Sequence, residues 1–330
     1  LVGLPGLAEA YGRRALETAR QARKPLAFAK ALVAASFYHV GLGQWARVRD
    51  DLTRALQIYT HLGNWRLWLD ANFHLGFAEE FAGEYSLAAL AYDQSYDSRP
   101  YNGERARIIG LSGQGRLAFK QGHFDEAIPL LELGLNLDPN PDSSLRLGPY
   151  GDLAAARWRN NEPELARSLA DEAVRLIAKL GSSSRAYFNL PGYAAVAEIY
   201  LGLWEKSDPS ITRTQVQTAC HALHTFAQTL PIGKPAAWLY QGLYEWLNGQ
   251  PARARANWKK SLAFAKRLQM PYEQGQAHYE IGRHATGDKR RQHLAQAIEI
   301  FERLGSGYHL KLAREARNDE RQMTAARDSR

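Results

Sequence analysis

The sequence predicts an all-α fold, a superhelical solenoid of about seven helix hairpins repeating every ~40 residues. Three observations lead there. A glycine or asparagine turn recurs at positions 43, 83, 122, 161, 202, 249 and 287, at spacings of 40, 39, 39, 41, 47 and 38 residues. In most copies an aromatic residue or proline follows within two positions. On both sides of each turn, apolar residues recur at helical spacing, and no β-hairpin signal interrupts them. Each hairpin would have an apolar face that it cannot bury alone, so neighbours must stack.

The clearest copy is Gly110–Pro139. Gly115 is small where two helices must approach. Gly122 ends the first helix, Phe124 fills the turn, Ala127 and Leu131 carry the second stripe, and Pro139 stops it.

The rest of the chain follows in order. Residues 1–24 read as a half-repeat, with Tyr11, Leu16 and Ala19 on one face of a second helix that lacks its first. An array that starts in mid-repeat has no cap over its first apolar face. The expectation is therefore a chain cut from a longer protein. Residues 25–204 hold regular hairpins. Pro25 opens the first, and the turns are Gly43-Gln44-Trp45, Gly83-Glu84-Tyr85, Gly122-His123-Phe124, Asn161-Glu162-Pro163 and Gly202-Leu203-Trp204. Residues 205–235 break the pattern with an inserted loop, a delayed helix and a connector. Residues 236–317 resume it, and 318–330 read as a polar tail.

The glycine, alanine and aromatic positions give these hairpins a tetratricopeptide-like (TPR-like) character, with a period longer than the usual 34 residues. A more specific likeness lies at Arg253–Gly305, which includes Leu268-Gln269-Met270-Pro271-Tyr272-Glu273-Gln274-Gly275 and Ile300-Phe301-Glu302-Arg303-Leu304-Gly305. This stretch resembles the C-terminal repeats of bacterial signalling proteins. In those, a class III adenylate/guanylate cyclase or a Ser/Thr kinase precedes a STAND-type AAA ATPase. More loosely it is similar to the repeats of MalT-type regulators. The resemblance implies a regulatory module that binds an effector or partner and controls upstream domains of the same polypeptide; the single cysteine fits a reducing cytoplasm. The resemblance covers the repeats only. The phosphate-loop signature is absent, since Gly233-Lys234 is followed by proline, and no cyclase or kinase motif occurs.

Composition narrows the function classes. No apolar run is long enough to span a membrane. The single cysteine, Cys220, excludes an internal disulfide and reads as a small buried group. His221 and His224 share a helix face, and His278, His284 and His293 gather near the last repeat, but neither set has the donors zinc prefers. Neighbouring acids such as Glu79-Glu80 sit on one helix rather than across a cleft. The expectation is a non-enzyme without metal or cofactor.

The concave wall is the expected site. First helices of the hairpins would place Phe77, Phe81, Arg116, Phe119, Lys120, Trp158, Arg159, Tyr200, Trp246, Tyr279 and Arg283 along it, with Phe37 and Phe73 at its start. Rings supply apolar area at low entropy cost, and arginine binds carboxylates bidentately. The basic members should resist burial and so stay accessible. The partner class is a peptide or protein segment, acidic by charge complementarity. The alternative is a nucleic-acid-binding solenoid, suggested by the net charge of +8 and the arginine–aromatic interleaving. About half of that excess lies in residues 283–330, where 11 Lys+Arg face 7 Asp+Glu.

Overall fold

The computed structural model describes residues 5–96 and 103–328, and among them there is no strand. The first four residues of the half-repeat and the last two of the tail lie outside that range. The helices are α1 (Pro5–Gln21), α2 (Pro25–Gly41), α3 (Trp45–His61), α4 (Trp65–Ala82), α5 (Tyr85–Tyr96), α6 (Glu104–Gln121), α7 (Phe124–Leu137) and α8 (Leu147–Arg159). They continue as α9 (Pro163–Leu180), α10 (Leu190–Glu205), α11 (Arg213–Thr229), α12 (Lys234–Leu247), α13 (Pro251–Arg267), α14 (Pro271–Arg283), α15 (Gly287–Leu304) and α16 (Gly307–Asp328). Short 3₁₀ turns lie at Ser144–Arg146, Gly181–Ser184, Tyr187–Asn189 and Pro231–Gly233.

Local chemistry explains the boundaries. Pro25, Pro163, Pro251 and Pro271 each open a helix, where the missing N–H costs nothing. Thr212 and Gln215 form a reciprocal capping box at the start of α11. Gly83 and Gly122 end α4 and α6 in the left-handed region, at φ 82° and 88°. Gly115 does what its size suggests: a Cβ there would meet Leu131 Cγ at 2.8 Å. Gly113, similarly, leaves room for the Tyr92 ring.

Two expectations are corrected. Gly202 is not a turn. It lies inside α10, where the Trp158 ring occupies the space of a Cβ, and the turn falls at Ser207 with φ 57°. The polar stretch after residue 317 does not end the helix, because α16 runs on to Asp328. No glycine or proline interrupts residues 308–328, and Arg, Glu, Gln, Met and Ala are good helix formers.

Hairpins pair α2 with α3, α4 with α5, and so on to α14 with α15. The even-numbered helices also touch one another in sequence and form the inner layer; the odd-numbered ones form the outer. The winding is tight enough that the array meets itself. Trp45 Nε1 donates to the carbonyls of Leu268 (2.8 Å) and Gln269 (3.1 Å). A Cβ on Gly43 would strike Leu268 O at 2.8 Å, one on Gly83 would strike Pro271 at 2.5 Å, and one on Gly122 would strike Tyr308 N at 2.8 Å. Turns of the early hairpins therefore rest directly on α14, α16 and the residues before them.

Candidate functional site

The C-terminal halves of α4, α6 and α8 converge on α14 and are sealed. Arg116 (α6) donates through Nε to Asp152 of α8 at 2.6 Å, and its Nη1 stands 3.7 Å from Glu80 of α4. Lys120 lies 3.4 Å from Glu80 and 3.8 Å from Glu273 of α14. Tyr92 donates to Glu80 at 3.1 Å. Arg159 pairs with Glu198 of α10 and donates to the Tyr272 hydroxyl at 3.0 Å; Tyr240 donates to the same Glu198. Tyr272 in turn faces His309 Nδ1 at 3.2 Å.

Burial opposes the charges on Arg116 and Lys120, but the facing carboxylates outweigh it and hold both above their usual pKa. Burial pushes the Asp152 and Glu273 carboxyls up. It drives His309 well below its usual value, so the ring that shares a hydrogen bond with the Tyr272 hydroxyl is neutral. A buried ionic cluster of this kind adds little net stability, but removing one member leaves its partners uncompensated.

Of the eleven residues expected on the concave wall, none is exposed. Phe77, Phe81, Arg116, Phe119, Lys120 and Arg159 come together in the sealed interior. There Arg116 lies 4.0 Å over the Phe77 ring and Arg159 4.5 Å over Phe119. The basic members were expected to resist burial; instead Arg116 is 2% exposed and Lys120 8%, because α4, α8 and α14 supply carboxylates. The others are scattered. Trp158 packs on α10 under Lys206, and Tyr200 turns to Asp171 of α9. Trp246 lies against Trp258 and His284, while Tyr279 pairs with Arg283, itself bound to Glu280.

The first halves of α4 and α6, and α2 from Lys30 onward, behave differently. Two clefts open there. The larger, about 890 Å³, lies between α1, α2 and residues 185–188 and 228–231. The smaller, about 730 Å³, lies between the first halves of α2, α4 and α6 and the connectors around 140–145 and 180–188. Ala34, Phe37 and Phe188 line both, so the clefts adjoin. Phe37 is the exposed ring between them, at 40% of its full area.

Their electrostatics differ. Arg13, Arg20, Arg47 and Arg185 line the larger cleft with no carboxylate partner among the described residues; Glu9 and Glu17 are its acids. In the smaller cleft the charges are largely spent. Arg105 pairs with Asp70 at 3.0 Å, and Asp142 pairs with Arg175 and Lys179. His74 shares a hydrogen bond with the Tyr187 hydroxyl, and burial lowers its pKa to about 3, so the ring is neutral.

Sequence reasoning placed Phe37 and Phe73 correctly on the inner layer but missed Arg185, Tyr187 and Phe188. Their signal was available: two adjacent aromatics in a serine-rich connector that has no helical period.

No cluster of three or more metal-ligating side chains occurs among the described residues. His278 and His293 face each other, Nδ1 to Nδ1 at 3.0 Å, with no third donor. Cys220 is buried, and burial lifts its thiol to about 12. Among the described residues no helix is long and apolar enough to cross a membrane.

This is an all-α helical-repeat protein with a TPR-like superhelix. No family model and no curated protein sequence matches it. Its fold is similar to that of the Rap protein crystallised with competence and sporulation factor. That match has a TM-score of 0.59 at 13% identity and covers 87% of this chain and 80% of that one. At this identity the likeness is one of fold. BtubC (BKLC) from P. vanneervenii matches at TM-score 0.37 and 15% identity, over 79% of this chain and 91% of its own. A circular tandem repeat protein matches at TM-score 0.23 and 13% identity, over 97% and 90%. Neither of these two superposes well enough to carry an argument.

Proposed function

We propose that this chain is a non-catalytic helical-repeat interaction module that binds an acidic peptide or protein segment. The binding place is the open end of the superhelix, between α1, α2 and the 185–188 connector. The sealed interior residues, Arg116, Lys120 and Arg159 among them, hold the array closed. The observation that carries the reading is the larger cleft: an aromatic-edged trough of about 890 Å³ with four arginines that form no salt bridge among the described residues, against two acids, Glu9 and Glu17. Arginine beside rings is the usual chemistry of a peptide-binding surface. The Rap protein of similar fold was crystallised with competence and sporulation factor, which fits a superhelix used for recognition.

Because α1 and α2 form one wall and the 185–188 connector the other, a ligand bridging them favours one spacing of the two. Such differential affinity is what a regulatory module needs. The likeness of Arg253–Gly305 to the tails of STAND-ATPase signalling proteins supports a place downstream of a cytoplasmic ATPase, cyclase or kinase unit.

The test is fluorescence anisotropy with labelled twelve-residue peptides of acidic, neutral and basic composition, and with a single-stranded oligonucleotide. Acidic peptides should bind, and Arg47→Glu with Arg185→Glu should weaken them at least tenfold. Unchanged binding by that double variant would remove the site. Oligonucleotide binding that falls steeply with salt would favour a nucleic-acid partner instead.

A further inference from the structure

The smaller cleft has no part in the charge argument above. Its walls are rings. Phe37 meets His74 edge-on with centroids 4.3 Å apart, Phe73 lies 5.2 Å from His74, and Phe73 lies 5.9 Å from Phe188. Phe77 and Tyr187 back this array from the interior at 5.7 Å from one another. The space left, about 730 Å³, is within the usual range of about 300–1,000 Å³ for small-molecule pockets. Most of the nearby charges are paired with each other, Arg105 with Asp70 and Asp142 with Arg175 and Lys179, while Lys30, exposed on α2, forms no salt bridge among the described residues. A charged group that went past Lys30 would have to break one of these pairs. A flat apolar group would meet ring edges and faces at the spacings that aromatic pairs prefer.

From this contrast we infer that the smaller cleft is the anchor subsite of the acidic ligand: it takes an aromatic side chain of the segment, past Phe37, while the flanking carboxylates lie on Arg13, Arg47 and Arg185 in the larger cleft. The inference rests on the peptide-binding reading above and adds its specificity. The recognised segment has a Phe, Tyr or Trp next to Asp or Glu. Phe37 and Phe188, common to both clefts, form the passage between the two subsites.

The experiment is selection of a phage-displayed library of twelve-residue peptides on the immobilised full chain, followed by anisotropy with the enriched peptides. The expected consensus is an aromatic residue flanked by acids. Ala34 is exposed and lines both clefts, so Ala34→Trp should plug the passage and cut affinity at least tenfold without removing a wall contact. Phe37→Ala should cut affinity about as much, and an unchanged melting temperature would show that both variants are folded. Replacing the peptide's aromatic by alanine should cost wild type at least tenfold and the Ala34→Trp variant almost nothing. Acidic peptides enriched without an aromatic, or bound by both variants as tightly as by wild type, would overturn the anchor subsite and leave the peptide-binding reading standing. If no peptide is enriched, or if binding ignores Arg47→Glu with Arg185→Glu, both fall together.

Discussion

The two halves of α4 make different surfaces from similar residues. Leu67, Phe73 and His74 line an open cleft, whereas Phe77, Glu80 and Phe81, one or two turns later, are sealed. Both halves belong to the inner layer, and both carry rings and charge. What separates them is what lies across the axis. Opposite the second half stand Tyr272 and Glu273 of α14, and opposite the first half there are only connectors. Whether a concave residue is exposed thus depends on how far the superhelix winds, not on the residue's own character.

Breaking the sealed half should have the largest effect. Arg116→Met strips Asp152 of its ion-pair partner in the interior and leaves Glu80 with Lys120 alone. The expected loss is about 3–5 kcal/mol in urea denaturation. A loss under about 1 kcal/mol would mean the network is solvated and the contrast between the two halves is weaker than described.

Acid should act next, and it sharpens the comparison at His74, on the boundary between the halves. Burial lowers His74 to about 3 and His278 to about 4, and lowers His293 and His309 as well. In the unfolded chain these rings protonate near pH 6.5, whereas the folded rings stay neutral. Each therefore contributes a loss of stability that begins at about pH 6.5 and grows by about 1.4 kcal/mol per pH unit until its folded pKa is reached. Asp152 and Glu273 have raised pKa values and act in the opposite sense, relieving the fold as they protonate. The histidines outnumber them, so thermal melts from pH 7 to 4.5 should show a net fall. His74→Phe should shallow it.

Trp45→Phe keeps the ring that stacks on Phe81 but removes the donor to Leu268 and Gln269. The expected cost is about 1 kcal/mol, with faster amide exchange at the start of α14. The smallest effect belongs to the open half. Phe37→Ala should change stability by less than about 1 kcal/mol, since 40% of its area is already in water, while changing peptide binding. A large loss of stability there would mean the mouth is a structural surface.

The repeat period was plain in the sequence because each hairpin reports its own turn. Gly43, Gly83, Gly122, Asn161, Gly249 and Gly287 all adopt positive φ. Gly202 misled because a glycine beside a tryptophan ring looks the same in sequence as a glycine in a turn. The burial of Arg116 and Lys120 was not legible. Their partners lie on three other helices, and Glu273 is brought in only by the closure of the array. The run Leu268-Gln269-Met270-Pro271-Tyr272-Glu273 stood out by resemblance alone. In the structure it is the segment on which the early hairpins rest, and its backbone carbonyls, its proline and its Tyr-Glu pair all take part.

An open repeat array is nearly one-dimensional: it can start folding anywhere, and its ends can fray or be trimmed with only local cost. The hydrogen bond from Trp45 to Leu268 joins residues 223 positions apart, and it changes that arithmetic. Closing so distant a contact adds a slow search to folding. Once made, it ties the fate of the third helix to that of the fourteenth. A protease nick or a deleted repeat in the middle of the chain would therefore be felt at both ends, and the array should melt in one step where an open one would peel.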